Sequence, residues 1–475
     1  MENEVTALDA GTTAETAEQK QNKGNIDFKK PLWKSIFLFF LPLMLSNTLN
    51  SISSTISSII LGRMIGVSAL AAISAFFPIL FFLISFVIGV GAGSSVLIGQ
   101  AFGAQEWEKV KVIVGTTLTS TFLIGVIVAI PGYFFTYDLL ELTGTPVDVI
   151  DMSAGYARIT FIAMPLVYFL FYAYTTFFRG SGDSNTPFYF LVVSTVLNIL
   201  LTPALVIGWG FLPAMGVNGA ALANVTATLL SLAAFLIYLK KVNHPLQFDR
   251  ETARNLRINW PVFKLLISIG IPTSIQMILA SLSAIAVISF INKFGSTATA
   301  AFGAVNQVIS YVQMPAASLG ITISIFGAQA IGAGYNKLLN RIIRTGILMN
   351  YLIVGVIVIV AYIFGRSLLS LFLTEASALE LAFSLLVVSL WSYPILGNNN
   401  ILAGIMRSSG TVFWPTLITI SSIWLVQVPV AYVLHTRLGV QGVMFGFPAG
   451  FIAALIFLYL YYHIFWKGKE HARLV

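Results

Sequence analysis

The chain has no cysteine. That excludes disulfides, thiolate nucleophiles and cysteine-ligated metals. Charge is scarce as well: Asp, Glu, Lys and Arg make up 9% of 475 residues, against about 25% in an ordinary soluble chain. The four histidines, His244, His435, His463 and His471, show no ligand spacing and no nucleophile partner, so an enzyme is not expected. Acid is the scarcest group where it would matter most. Of the 18 carboxylates, six precede residue 28. The others are Glu106, Glu108, Asp138, Glu141, Asp148, Asp151, Asp183, Asp249, Glu251, Glu375, Glu380 and Glu470. None falls deep inside an apolar run, although buried acids and histidines are the usual parts of an intramembrane ion relay.

Apolar length is abundant. Hydrophobic residues make up 57% of the chain, and several runs exceed the ~18 residues that span a bilayer. The net charge of +8 does not imply nucleic acid, because the cations sit between apolar runs and form no stripe. The sequence reads as an all-α polytopic membrane protein, since lipid forbids unpaired backbone and the runs are too long for barrel strands. Breaks at Gly, Pro and charge give twelve spans: 33–61, 67–101, 109–134, 152–178, 185–209, 217–240, 260–291, 297–330, 337–364, 379–406, 412–434 and 440–466. With the N-terminus inside, 21 Lys and Arg fall on the inner side and 5 on the outer. The positive-inside rule then places both termini in the cytoplasm and the protein in the plasma (inner) membrane. Residues 1–30 are expected to be a disordered cytoplasmic tail, 241–259 a cytoplasmic linker and 467–475 a second tail.

The sequence repeats itself. "GQAFGAQ" (99–105) returns as "AQAIGAG" (328–334), and "SALAA" (68–72) as "TATAA" (297–301). Pro165 answers Pro394, "RGSGDSNTP" (179–187) answers "RSSGTVFWP" (407–415), and "GVNG" (216–219) answers "GVQG" (439–442). The offset drifts one way, from 229 to 223, as small loop deletions would make it do. Two six-helix halves, 31–240 and 260–466, follow. Six is even, so the halves are parallel repeats, a plan typical of secondary transporters with sites at the repeat interface.

These motifs resemble the multidrug and toxic compound extrusion (MATE) family, in its bacterial DinF-like branch. The carrying residues are "ILGRMIG" ending the first helix, "GQAFGAQ", "RGSGDSNTP", "VLNILLTPALV", "GVNGAALANV" and the second-half echoes. The resemblance covers about residues 33–466. It implies a V-shaped twelve-helix transporter that exports amphiphilic small molecules by alternating access, in exchange for Na+ or H+. It also marks where family members carry acids. Those positions are Ser57 in the first helix, Thr202 before the proline of the fifth, Ala280 in the seventh and a place near Leu396 in the tenth. Asn198 matches a polar position accompanying those acids, and Asn224 lies where the sixth helix contributes a side chain.

A neutral amino-terminal cluster of Ser54, Ser57, Asn198, Thr202 and Asn224 is therefore the candidate ion site. Neutral oxygens can bind Na+, the one possible cofactor, as carbonyls do in filters. They do not titrate near pH 7, which argues against the family's usual proton mechanism. Alternatively, the hydroxyls of "NSISSTISS" bond their own backbone or let helices pack. In the second half Gln276, Asn306, Gln307, Asn398, Asn399 and Asn400 are candidates to line the cavity, with interhelical bonding the competing role. Tyr168, Tyr172, Tyr311, Trp391 and Tyr393 fall inside helices, and a share of them should line an apolar cleft. Arg158 is expected to reach the outer interface, with pairing to Asp151 or gating as alternatives. The expected partners are a small amphiphilic substrate and the bilayer, with no nucleic acid and a monomeric chain. Lacking a buried acid, the site should prefer neutral, zwitterionic or weakly charged amphiphiles to organic dications. A flippase for lipid-linked or natural-product precursors, an uncoupled facilitator and a non-transporting receptor or assembly protein are the other readings.

Overall fold

The computed structural model describes residues 26, 28, 30–209 and 213–475, so most of the amino-terminal tail lies outside the described residues. Ten helices are long and apolar enough to span a membrane. They are α1 (Leu32–Met64), α2 (Val67–Gly103), α3 (Trp107–Phe134), α5 (Asn185–Gly208), α6 (Gly216–Lys241), α7 (Trp260–Asn292), α8 (Ser296–Gly332), α9 (Asn336–Ile363), α11 (Phe413–Leu438) and α12 (Val440–Trp466). Two further spans are bent pairs: α4 (Ile150–Val167 with Phe171–Ser181) and α10 (Ala376–Leu390 with Tyr393–Ser408), each broken at 40°. The matched prolines Pro165 and Pro394 lie at these breaks, where a missing N–H and a ring clash interrupt the helical ladder. In α4 the interruption is a π-helical turn, Met164–Leu170. No strand is present among the described residues. The architecture is thus all-α, with up to twelve spans.

The two halves exchange the N-terminal ends of their first helices. Leu32, Ile36, Phe39, Phe40 and Leu43 of α1 are buried with Leu319, Ile323 and Phe326 of α8 in the second half's core. Reciprocally, Val262, Leu266 and Ile269 of α7 are buried among Leu97, Ile98, Phe177 and Phe178 of the first half. Glycines set the close approach of α7 to α2. A Cβ on Gly89 would lie 2.4 Å from the Gly270 carbonyl oxygen, and one on Gly93 would lie 2.8 Å from that of Leu266.

At the end that carries both described chain ends, the halves meet through two matched glutamines. Gln100 Nε2 donates to the Ser408 carbonyl at 2.7 Å. Gln329 Nε2 donates to the Gly180 carbonyl at 2.9 Å. Both side chains are buried, so each bond satisfies an amide that water cannot reach. The chain ends complete the pattern: Leu474 N donates to Gln100 Oε1 at 2.7 Å, and Ile26 N donates to Gln329 Oε1 at 2.9 Å. Gly103 and Gly332 are required here, because an added Cβ would lie 2.2 Å and 2.0 Å from the Gln329 and Gln100 carbonyl oxygens.

The segment between the halves is docked on α3. Asp249 caps the short helix Arg250–Arg254, accepting from Thr252 N at 2.8 Å. Its other oxygen pairs with Lys111 Nζ at 2.6 Å. Partial burial alone would raise the Asp249 pKa, but Lys111 and Thr252 stabilise the anion and hold it below the usual carboxylate value.

Candidate functional site

Helices α1 and α5 bring three of the five residues of the first-half cluster together. Asn198 Nδ2 donates to Ser57 Oγ at 3.3 Å. Thr202 Oγ1 lies 2.7 Å from the Asn198 carbonyl oxygen and 3.2 Å from Asn198 Oδ1. Thr202 and Asn198 are one helical turn apart, so their side chains stack on one face. Thr202 and Asn198 are buried, while Ser57 is half-buried. The cluster is therefore dry at α5 and accessible at α1. Ser54 is exposed, and its carbonyl accepts from Ser58 Oγ at 3.0 Å. Asn224 sits half-buried on α6; its carbonyl accepts from Thr228 Oγ1 at 2.8 Å. Within "NSISSTISS", Thr55 likewise donates to the Ser51 carbonyl at 3.0 Å. Thr55 and Ser58 of this run thus satisfy their own helix, and Ser57 is the hydroxyl bonded to another one. No described Asp or Glu lies in the interior of a spanning helix, and no three acids or histidines cluster as a metal site among the described residues.

The second-half amides behave differently. Asn398 and Asn399 are buried. Asn398 Nδ2 donates to Tyr351 Oη at 2.7 Å, and Asn398 Oδ1 accepts from Asn350 Nδ2 at 3.1 Å. Asn350 also donates to the Pro394 carbonyl at 2.7 Å, which anchors the bend of α10 to α9. Asn399 Nδ2 donates to the Phe451 carbonyl of α12 at 3.0 Å. Asn400 is half-buried, with its backbone against Gly320 of α8. Asn398 and Asn399 thus bond α10 to its neighbours, and sequence reasoning missed the partner of Asn398, Asn350. A lone Asn in the apolar run "ILMNYLIV" was the available signal.

Gln276 on α7 accepts from Thr416 Oγ1 of α11 at 3.5 Å. Asn306 is exposed on α8, and Gln307 Nε2 lies 3.5 Å from Tyr311 Oη one turn on. Tyr311 and Trp391 are 41% and 45% exposed. Tyr172 is half-buried. Tyr393 is buried in the second half's core, edge-on to Phe451 at 5.5 Å. The side chain of Tyr168 lies outside the described residues. Arg158 stacks on the rings of Tyr133 and Tyr137 at 5.4 and 5.1 Å. Asp151 instead accepts a hydrogen bond from Tyr137 Oη at 2.9 Å.

The MatE family model matches residues 42–204 and again 272–433, one copy in each half. A Bacillus subtilis protein named "Probable multidrug resistance protein YoeA" is 53% identical over 94% of this chain and 97% of its own length. The "FAD transporter" of Shewanella oneidensis is 26% identical over 81% of this chain and 84% of its own. Among solved structures, an outward-facing multidrug resistance MATE family transporter superposes with a TM-score of 0.84 at 20% identity. That match covers 91% of this chain and 95% of the other. The Vibrio cholerae MATE transporter VcmN in its bent form superposes with a TM-score of 0.81 at 21% identity, over 91% and 96% of the two chains.

Proposed function

Since the chain belongs to the MATE family, we propose that it exports amphiphilic small molecules by alternating access, with the neutral Ser57, Asn198 and Thr202 cluster taking the place of the family's membrane carboxylate site. It is a multi-pass membrane transporter and not an enzyme. The excess of Lys and Arg on one side supports a plasma-membrane orientation with both termini cytoplasmic. The observation that carries the proposal is the three-residue network at the positions the family resemblance marks. The Ser57, Asn198 and Thr202 oxygens belong to one bonded network there, half-open on the α1 side, with the Asn198 amide N–H turned toward Ser57. Its neutral oxygens suit Na+, with water or substrate completing the coordination, and they do not titrate near neutral pH. Without a buried carboxylate, a dication in the cleft would stay unpaired and costly, so neutral, zwitterionic or weakly charged cargo is favoured. The relative named for FAD supports a family cargo that need not be cationic.

One observation favours a second reading, transport without tight coupling. The Asn198 amide N–H donates to Ser57 Oγ at 3.3 Å, which occupies a Ser57 lone pair and turns a donor, not an acceptor, toward the place an ion would take. Efflux from proteoliposomes under a Na+ gradient, a pH gradient or neither separates the two. Na+-driven efflux by the wild type is the expected result. Efflux indifferent to both gradients, with pH dependence gained by Thr202→Asp, would replace the coupled mechanism with facilitation.

A further inference from the structure

A lateral groove of about 540 Å³ runs between α9 and α12 of the second half, far in sequence from the Ser57 cluster. Its volume falls within the ~300–1,000 Å³ of ordinary ligand sites. Ile343 and Ile347 of α9 form one wall, Leu455 of α12 the other, and Leu402 of α10 the floor. At one end the lining changes to Arg344, His463 and Lys467. Ile456 and Tyr459, on the rim, are 52% and 53% exposed, so the groove is open at its side. Near the basic end, Tyr462 Oη donates to Asn340 Oδ1 at 2.9 Å, tying the two walls.

No carboxylate lines this groove. Among the described residues, neither Arg344 nor Lys467 makes an ion pair; those present are Lys109 and Arg473 with Glu106, Lys111 with Asp249, and Arg366 with Glu380. Two uncompensated cations thus stand at the mouth of an apolar slot. We propose that this groove binds an anionic glycerophospholipid of the cytoplasmic leaflet, with the phosphate at Arg344 and Lys467 and an acyl chain along Ile343, Ile347, Leu402 and Leu455. Charge complementarity selects the headgroup, because basic pockets between helices on the cytoplasmic side attract anionic lipid. The apolar walls and the lateral opening select a lipid over a soluble anion. Asn398, which bonds α9 to α10, forms part of the lining, so the lipid would rest on the residue that braces the bend of α10.

The test uses the full chain in nanodiscs. Spin-labelled phosphatidylglycerol and phosphatidylcholine are compared by the fraction immobilised. The wild type is expected to prefer phosphatidylglycerol. Arg344→Gln and Lys467→Gln should each reduce that preference roughly fivefold, while Lys469→Gln, outside the groove lining, should leave it unchanged. Ile347→Trp should weaken binding of both lipids. Equal binding of the two lipids by the wild type, or a preference that survives the double variant, would overturn the proposal. So would competition by glycerol phosphate as effective as that of the intact lipid, which would identify a site for a soluble anion.

Discussion

The ends of the two halves away from the glutamine seam, built from matched helices, are packed in contrasting ways. In the second half Val287 and Ile291 of α7 join α8, α9 and α10 in one continuous apolar core. In the first half the corresponding region breaks into small clusters, one of Phe76, Ala154 and Phe161, another of Leu61, Val206 and Ala220, a third of Ala163, Val167 and Val225. The Ser57, Asn198 and Thr202 network links α1 and α5 of this divided region. In the second half, the buried amides of Asn350, Asn398 and Asn399 join helices that are already packed, with Asn350 Oδ1 and Asn399 Oδ1 left without a hydrogen-bond partner. The lesson is that amides in lipid have two uses here. In a continuous core they fix helices to one another, and in a divided one they leave a face that can change partners. Low local packing is where a moving helix is expected, and that helix is α1.

The comparison can be broken most sharply at the glutamine seam, where the halves are alike. Gly103→Val and Gly332→Val should each cut transport at least tenfold, because side-chain atoms would overlap the Gln329 and Gln100 carbonyls. If α1 and not the seam governs the cycle, either variant would transport normally, and proteoliposome efflux decides. Next in size is the contrast between amides. Asn398→Leu leaves Tyr351 and Asn350 short of a partner and should cost about 2 kcal/mol. Asn198→Leu should cost about 0.6 kcal/mol, typical of a membrane hydrogen bond, while removing any Na+ dependence. Thermal unfolding of both purified variants tests this, and equal losses would erase the distinction. The smallest effect concerns Gln105, which adopts a positive φ of 59° where its repeat partner Gly334 has 78°. Gln105→Gly should stabilise the first half by about 0.5 kcal/mol, the relief of left-handed strain offset by added freedom in the unfolded chain. Destabilisation would show that the Gln105 side chain holds the turn.

Much of this was written in local pattern. The apolar runs and the duplication follow from hydropathy and repeated motifs; the structure has ten long spans and two bent pairs where twelve runs were expected, and the family model matches once in each half. The sequence-based spans for the fourth and tenth helices were continuous, however. A proline marks where a helix weakens but does not say how far neighbours will bend it. The grouping of Ser57 with Asn198 and Thr202 was legible through the family resemblance, which marks these positions; helical spacing adds only that Asn198 and Thr202 share a face. Ser54 was expected one turn from Ser57 in the same cluster, yet it is exposed and its carbonyl accepts from Ser58 of its own helix. Gln100 and Gln329 stood out as repeat markers. Their role at the seam was hidden, because each partner carbonyl belongs to a glycine or serine whose identity says nothing about a donor 149 or 308 residues away in the other half.

The reciprocity of those two glutamines is also a matter of symmetry. Gly180 and Ser408 occupy the same repeat position, so each half offers the other the same donor and the same acceptor. Such a self-complementary contact is what two copies of one six-helix unit make about a two-fold axis. The seam thus has the symmetry that an interface between two identical six-helix units would have, although both halves lie in one chain. A contact built this way lets the rest of each half differ without the seam being lost.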